Sequence, residues 1–307
     1  MKRIGIDLGG HTVSAGAVDF SEEPPRIVSP VTVSTPEKRD ILSVIRVLEE
    51  LILLWAAPGD ECFVGIGVPG FVDRERPRIL RLTNFIGCDG ISLGKMISAN
   101  LKTRGVKADI RMENDANCAA LGEGAAGAAR GMADYAVLTL GTGIGAGLVA
   151  NGRLLSGAHG MAGECGHIAV SGDPSLRGCG CGGRGHLEES ASADWIERRA
   201  AALGLPCGFR EIWEMRHADK TAAGLLEPAL EALARGVSSL AVTLDPEAVI
   251  ISGGMSLAEG LAGELRGRVE KYLPVPFRAV FDLKISKLGG AAAVIGAASL
   301  GRERCMK

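Results

Sequence analysis

The stretch Ile4–Thr12 reads IGIDLGGHT, in which an apolar strand pattern breaks at two consecutive glycines. A second stretch far along the chain, Tyr135–Val149, reads YAVLTLGTGIGAGLV and repeats the order of apolar run, glycine turn and second apolar run. Glycines in such turns let backbone N–H groups approach phosphate oxygens because no Cβ stands in the way. The repeat predicts two related halves, each with a hairpin that contacts phosphate.

The glycine spacing at 141–147 is similar to the dinucleotide-binding fingerprint, but that motif requires a helix directly after the turn. Here residues 146–149 return as a strand, so we exclude a nicotinamide site. Two such hairpins that clamp one nucleotide across a cleft are the arrangement of actin-like ATPases. A third apolar run, at 248–251, ends in Gly253 and Gly254, which could pack against adenosine or form a simple strand-to-helix turn.

Asp7 lies at the end of the first apolar run, where its carboxylate could hold Mg²⁺ directly or through a water. Taken alone, a plain hairpin with a surface aspartate accounts for the same pattern. The residues expected to contact ATP and Mg²⁺ are Asp7, Gly9, Gly10, Gly141, Thr142, Gly143, Gly253 and Gly254.

The rest of the chain alternates between helix and strand patterns, which predicts an α/β fold. We expect an N-terminal domain at 1–117, with the last helix (291–307) packing back on it, and a larger C-terminal domain at 118–290. The expected helices cover 40–55, 116–129, 225–243 and 291–302, and the expected strands cover 63–68, 109–112 and 248–251.

The chain has 307 residues and a formal net charge of −2, so its charge does not predict a nucleic-acid partner. The N-terminus enters a strand directly, without a signal-peptide pattern, and no apolar run is long enough to span a bilayer. We therefore expect a cytoplasmic protein without membrane contacts. Its eight cysteines are expected to be reduced rather than paired in disulfides.

The residues Glu113-Asn114-Asp115 connect a short strand to an alanine-rich helix. A carboxylate at this position is a good helix N-cap, and capping alone accounts for it. In the functional interpretation, Asp115 orients a substrate hydroxyl and accepts its proton late in phosphoryl transfer, while the helix dipole favours the charged form. Asn114 would hydrogen-bond a substrate hydroxyl.

A Cys-x-Cys motif at 179–181 is followed five residues later by His186, and His167 lies upstream. Two thiolates and two imidazoles form a closed ligand set of the kind that structural Zn²⁺ prefers. Two reduced surface cysteines and two unrelated histidines are the alternative. The expected zinc ligands are His167, Cys179, Cys181 and His186.

The predicted metal would support a loop that presents Glu164, His167 and Glu188 to a substrate. If one ring nitrogen of His167 binds zinc, the other is held in position to donate to a hydroxyl. Two carboxylates and an imidazole suit a polyol, because each hydroxyl both donates and accepts hydrogen bonds.

Taken in this order, the motifs resemble those of the ROK family (repressors, open reading frames and sugar kinases) over nearly the whole chain. The stretches that carry the resemblance are the Asp7 loop, Gly67–Gly70, Asn114-Asp115, Gly141–Gly145, Gly163–His167, Cys179–Gly185 and Glu188.

The resemblance implies a hexokinase-type, actin-like ATPase fold with two α/β domains, and phosphorylation of a hexose by ATP and Mg²⁺, commonly at O6. It implies Asp115 as catalytic base, a homodimer, and sugar contacts from Gly70, Asn114, Glu164, His167 and Glu188. Glucose is the first candidate substrate. Allose, fructose, N-acetylmannosamine and N-acetylglucosamine are the alternatives.

The chain departs from the family pattern at three places. His186 stands where a third cysteine is usual, and histidine is a competent zinc ligand. The first loop ends in His11-Thr12 rather than Thr-Lys, so a hydroxyl of Thr12 is expected at the γ-phosphate instead of a cation. The sugar loop at 84–88 lacks the usual Pro and Trp, so the resemblance does not extend to the sugar preference.

Repressors of the family need a helix-turn-helix before the first glycine loop. Here the first strand begins by residue 4, so no DNA-binding domain is expected. A sugar sensor without catalysis is the remaining non-enzyme alternative, and the presence of Asp115 favours an enzyme.

Overall fold

The computed structural model describes residues 1–82, 85, 87–172, 179 and 181–302. The strands are β1 (Lys2–Leu8), β2 (Thr12–Asp19), β3 (Arg26–Ser34), β4 (Glu61–Val68), β5 (Gly70–Asp73), β6 (Arg78–Leu82), β7 (Lys107–Asn114), β8 (Tyr135–Leu140), β9 (Ile144–Ala150), β10 (Arg153–Leu154), β11 (Ala248–Ser252) and β12 (Leu283–Ile285). The helices are α1 (Ile41–Leu53), α2 (Leu93–Thr103), α3 (Asp115–Ala126), α4 (Glu188–Ala191), α5 (Ala193–Ala202), α6 (Phe209–Met215), α7 (Lys220–Leu244), α8 (Leu261–Tyr272), α9 (Val275–Val280) and α10 (Ala291–Ser299). Across these described ranges, no helix is both long enough and apolar enough to cross a membrane.

The chain divides into two compact units. Unit 1 contains Met1–Gly131, Gly152–Ala162 and Gly290–Lys307, and unit 2 contains Met132–Asn151 and Gly163–Gly289. The predicted domain boundary lies after residue 117, whereas the compact units keep the whole of α3 in unit 1. The physical reason is that α3 packs closely on α10.

The sheet of unit 1 has the strand order β3-β2-β1-β4-β7. β1 is antiparallel to β2 but parallel to β4, which is in turn parallel to β7. The residues of β4 after Glu61 are all buried, as expected for a parallel strand that is covered on both faces. The strand register sets Asp7 beside Gly67, and Gly67 beside Glu113. The C-terminal ends of β1, β4 and β7 therefore lie at the same edge of the sheet.

In unit 2, β9, β8, β11 and β12 lie side by side in that order. β8 is antiparallel to β9 and parallel to β11, and β11 is parallel to β12. The hairpin β8–β9 repeats the hairpin β1–β2 of unit 1, and β9 follows the glycine turn directly where a Rossmann fold would have a helix. The predicted α/β fold is confirmed.

Helix α10 lies unusually close to its neighbours because glycines remove the side chains at the contacts. A Cβ on Gly296 would collide with the carbonyl oxygen of Cys118 in α3, and a Cβ on Gly122 would collide with that of Ala292. Gly5 of β1 and Gly65 of β4 contact the backbone of α10 in the same way. This backbone packing holds α3, and therefore Asp115 at its start, against the sheet of unit 1.

Candidate active site

The junction of β7 and α3 is built around Asn114. Its Oδ1 accepts hydrogen bonds from the backbone N–H groups of Ala116 at 2.9 Å and Asn117 at 3.1 Å, so Asn114 caps the helix. Its Nδ2 donates to the carbonyl oxygen of Gly70 at 3.3 Å. The N-cap is Asn114 and not Asp115, which is the first helical residue; the Asp115 carboxylate nevertheless also accepts from the N–H of Ala116 at 2.8 Å.

Asp7 lies at the same edge of the sheet as Asp115. Burial, together with the smaller effect of the negative charge of Asp115, raises the pKa of the Asp7 carboxyl to about 7. Gly67 lies on β4, between β1 and β7, and a Cβ there would lie 3.5 Å from the Cα of Asp115. Two carboxylates that repel each other's charge in this way form a favourable place for a cation.

The first glycine loop, between β1 and β2, is closed by its own backbone. The N–H of Gly9 donates to the carbonyl oxygen of Thr12 at 2.9 Å, and a Cβ on Gly9 would collide with that oxygen. The Thr35 hydroxyl donates to the carbonyl of Gly9 at 2.8 Å, and its N–H donates to that of His11 at 2.9 Å. His11 and Thr12 are exposed at the tip, next to Gly10.

The second glycine loop lies beside the turn that follows β11. The N–H of Gly141 donates to the carbonyl of Gly143 at 3.0 Å, which makes the turn tight. Gly253 has a φ of 84°, and a Cβ there would collide with the backbone of Leu140. Unit 2 therefore brings together its predicted nucleotide residues, which are Gly141, Thr142, Gly143, Gly253 and Gly254.

The four predicted metal ligands converge in unit 2. The ligand atoms of His167, Cys179, Cys181 and His186 all lie within 4.8 Å of one another. The two Nδ1 atoms are 3.2 Å apart, Cys181 Sγ is 3.4 Å from His186 Nδ1, and Cys179 Sγ is 3.8 Å from His167 Nδ1. A zinc tetrahedron with bonds of about 2.3 Å to sulfur and about 2.05 Å to nitrogen has edges of about 3.3–3.8 Å. The residues present therefore fit a tetrahedral metal ion.

Backbone hydrogen bonds shape the loop that carries the two thiols. Cys179 accepts from the N–H of Gly182 and donates its own N–H to the carbonyl of Gly183, both at 2.9 Å. The N–H of Gly183 also points at Cys181 Sγ at 3.4 Å, and a Cβ on Gly183 would collide with the His186 ring. Burial raises the pKa of the Cys179 thiol to about 11, so a bound cation would be needed for it to be a thiolate at neutral pH.

Two carboxylates flank this cluster. Glu164 Oε2 lies 3.6 Å from Nε2 of His167, the ring nitrogen that faces away from the cluster. Burial raises the pKa of Glu164, with the His167 contribution lowering it and that of Glu188 raising it. Glu188 begins α4, and its Oε2 accepts a hydrogen bond from the backbone N–H of Ile144 at 2.8 Å.

Two residues that support the junction, Glu113 and Arg74, are not among the predicted site residues. Glu113 is almost fully buried and forms an ion pair with Arg74, which lies in the turn between β5 and β6. An acidic residue at a buried strand end could have predicted a positively charged side chain nearby. Local sequence does not indicate where in the chain that side chain lies. Asn84 of the sugar loop lies outside the described residues.

Comparison with known proteins identifies the class to which this fold and these residues belong. Residues 3–304 match the ROK family, so the chain is a member of that family. The family predicted from the motifs is confirmed.

Among its relatives, a glucokinase of Thermotoga maritima is 36% identical over an alignment of 321 positions that covers 99% of this chain and 98% of the relative. An N-acetylmannosamine kinase of Haemophilus influenzae is 29% identical, covering 97% and 94%. The crystal structure of a ROK family glucokinase from Streptomyces griseus in complex with glucose and AMPPNP superposes with a TM-score of 0.82 at 31% identity, covering 99% and 100%. The predicted hexokinase-type, actin-like fold is confirmed.

Proposed function

We propose that this chain transfers the γ-phosphoryl group of ATP to a hydroxyl of a hexose, with glucose as the first candidate. The observation that carries the proposal is the convergence of Asp7 and Asp115 at one edge of the unit 1 sheet, next to a tight glycine loop. The glucokinase relatives, one of them with glucose and an ATP analogue bound, support the same activity.

Asp115 is the proposed base. Phosphoryl transfer passes through a loose transition state, so the carboxylate orients the attacking hydroxyl and accepts its proton late instead of removing it beforehand. Asp7 would hold Mg²⁺, which neutralises charge on the phosphate oxygens when it is bound. The backbone N–H groups of the two glycine loops, other than those of Gly9 and Gly141 that donate within the turns, would bind phosphate, with Gly253 and Gly254 against the adenosine.

The proposed sugar ligands are Asn114, Glu164, His167 and Glu188, with Gly70 nearby. Asn114 uses its Oδ1 to cap α3, so its remaining Nδ2 proton is the group that would donate to a hydroxyl. Glu164 and Glu188 would accept from sugar hydroxyls.

We further propose that His167, Cys179, Cys181 and His186 bind a structural zinc ion. The set is closed, with four N and S ligands and no position left for substrate, so the metal would hold the loop rather than take part in phosphoryl transfer. The fit of the ligand spacings to a tetrahedron supports this proposal.

N-acetylmannosamine is the second candidate substrate, because the family includes a relative named for that activity that aligns with 97% of this chain. The homodimer and the cytoplasmic location implied by the resemblance and the composition remain predictions.

The test is an ADP-release assay with ATP, Mg²⁺ and a panel of glucose, allose, fructose, N-acetylmannosamine and N-acetylglucosamine. We expect turnover of at least one sugar and loss of that turnover in Asp115→Asn. Turnover of an amino sugar but not of glucose would select the second candidate. Binding of a sugar without turnover of any would identify a sensor and contradict the kinase proposal.

A further inference from the structure

Arg74 contacts two separate segments of unit 1. Its Nε pairs with Oε2 of Glu113, and its Nη1 donates to the hydroxyl of Ser156. The turn that carries Arg74 is itself fixed, because Oδ1 of Asp73 accepts hydrogen bonds from the backbone N–H groups of Glu75 and Arg76. The position of the guanidinium is therefore fixed both by the turn that carries it and by its two partners.

The carboxylate that Arg74 contacts lies directly behind the proposed catalytic residue. Glu113 is 3% exposed, and its Oε1 accepts hydrogen bonds from the N–H of Asn114 and from Nδ2 of Asn117, both at 2.9 Å. One of these donors precedes Asp115 and the other follows it. The Glu113 carboxylate thus connects the last residue of β7 to the first turn of α3.

A buried carboxylate with this many partners depends on a compensating positive charge. Removing one member of a buried ion pair leaves the other uncompensated, which costs much more than removing both. Without Arg74, the two hydrogen bonds from Asn114 and Asn117 would be the remaining stabilisation of Glu113. The junction would then rearrange to bring water to the charge.

We propose that Arg74 is a positioning residue for phosphoryl transfer, acting through Glu113 to hold the β7–α3 junction and so the direction of the Asp115 carboxylate. This inference rests on the proposed role of Asp115 as base. Arg74 touches neither sugar nor nucleotide in this scheme; it fixes the backbone from which the base projects.

The test compares Arg74→Met with Arg76→Met, an exposed arginine two residues further along the same turn. Arg74→Met is expected to lower kcat roughly 10- to 100-fold, since a small misplacement of a catalytic group costs that much, while the KM for ATP stays within about twofold. Arg74→Lys, which keeps the charge but not the fork geometry, should recover part of the loss, and guanidinium ion added to Arg74→Met should raise its kcat.

A double substitution separates positioning from general damage to the fold. Adding Glu113→Gln to Arg74→Met removes the uncompensated charge while keeping an acceptor for the N–H of Asn114. The double variant should therefore be more active and more stable to urea than Arg74→Met alone. If the effects of the two substitutions on kcat and on stability to urea are additive, the proposal is overturned. It is also overturned if Arg74→Met has the same kcat as Arg76→Met.

Amide hydrogen exchange supplies a readout that needs neither sugar nor nucleotide. The N–H groups of Asn114, Ala116 and Asn117 should exchange faster in Arg74→Met than in Arg76→Met, with the rates restored in the double variant. Faster exchange with an inactive wild-type protein would uphold the Arg74 contact and reject the kinase function. Unchanged exchange with an active wild type would reject Arg74 as the positioning residue and leave the kinase function intact.

Discussion

The Oε2 atom of Glu188 accepts a hydrogen bond from the backbone N–H of Ile144 at 2.8 Å. Ile144 begins β9 directly after the second glycine turn, and a Cβ on Gly143 would meet the same carboxylate. The N–H of Ala193 also donates to the carbonyl of Gly141 at 2.9 Å. Within unit 2, the turn proposed to bind phosphate is therefore attached to the helix that carries a proposed sugar ligand.

This contact predicts different results for two substitutions of Glu188. Glu188→Ala removes both the charge and the acceptor, so the KM for ATP and the KM for sugar should each rise by about tenfold, the effect of a charged hydrogen bond. Glu188→Gln keeps an acceptor for Ile144, so the KM for sugar should rise while that for ATP stays within about twofold. Steady-state kinetics with each substrate varied checks this, and an unchanged KM for ATP in Glu188→Ala would contradict it.

The role of Asp115 is tested by Asp115→Asn, which keeps the size of the side chain but cannot accept the proton. We expect kcat to fall by at least about 10²-fold, because a positioned general base contributes that much. The matched control is Asp109→Asn, an exposed carboxylate on β7, the strand that leads into α3. A loss of less than about tenfold in Asp115→Asn would reject the base role.

The proposed metal site predicts stoichiometric zinc in protein purified without chelators. Cys181→Ser should lose zinc and lower the melting temperature, whereas Ser in place of Cys207, an exposed cysteine elsewhere in unit 2, should change neither. His186→Cys exchanges one competent zinc ligand for another and should retain zinc. Elemental analysis with thermal melting measures both properties; zinc-free wild type would reject the site.

Zinc binding should also depend on pH. Since burial raises the pKa of the Cys179 thiol to about 11, this thiol must lose a proton when the metal binds at neutral pH. The affinity of the metal-free protein for zinc should therefore rise between pH 6 and pH 8, with protons released. Competition with a chromogenic chelator at several pH values measures the affinity.

Asp7 predicts a pH dependence of stability in the absence of Mg²⁺ and nucleotide. Its folded-state pKa of about 7 lies above the value of about 3.9 for an unfolded aspartate, so the folded protein holds a proton that the unfolded chain has released. This contribution to the free energy of unfolding is fully present below about pH 4 and is lost progressively as the pH rises from about 4 to about 7. Asp7→Asn removes the titration, so the free energy of unfolding of the variant should rise relative to that of the wild type as the pH increases from about 4 to about 7. Urea unfolding measures this, and parallel pH profiles would contradict it.

The backbone contact between α10 and α3 predicts a large effect from one methyl group. Gly296→Ala should lower the free energy of unfolding by about 1–3 kcal/mol or more, because the carbonyl of Cys118 cannot move without shifting α3. Gly267→Ala is the matched control, since this exposed glycine of α8 has open space at its Cβ. The free energy of unfolding of the control should rise by about 0.5–1 kcal/mol, because alanine has a higher helix propensity than glycine. Equal effects of the two substitutions in urea unfolding would contradict the packing argument.

Much of the fold could be predicted from local pattern. The two glycine turns, the buried run that forms β4, and the stripe that forms α1 are all contiguous, and each signal lies within the element that it specifies. Helix α7 begins at Lys220, earlier than the predicted Leu225, and its cap was readable: Asp219 accepts from the N–H groups of Thr221 and Ala222. Helices such as α2 and α6 were not predicted, because short helices take much of their stability from packing against distant segments.

In the candidate site too, some features could be predicted from local sequence and others depend on the tertiary structure. The residue types were readable from sequence, since a carboxylate after a strand, glycines in a turn, and closely spaced cysteines and histidines each carry their chemistry in their side chains. What they bind to was not readable. Glu188 accepts from the N–H of Ile144, and Arg74 pairs with Glu113, because the packed sheets and helices bring these groups within hydrogen-bond distance. Local sequence therefore specifies the donors and acceptors, and the burial of the apolar elements between them specifies the pairs.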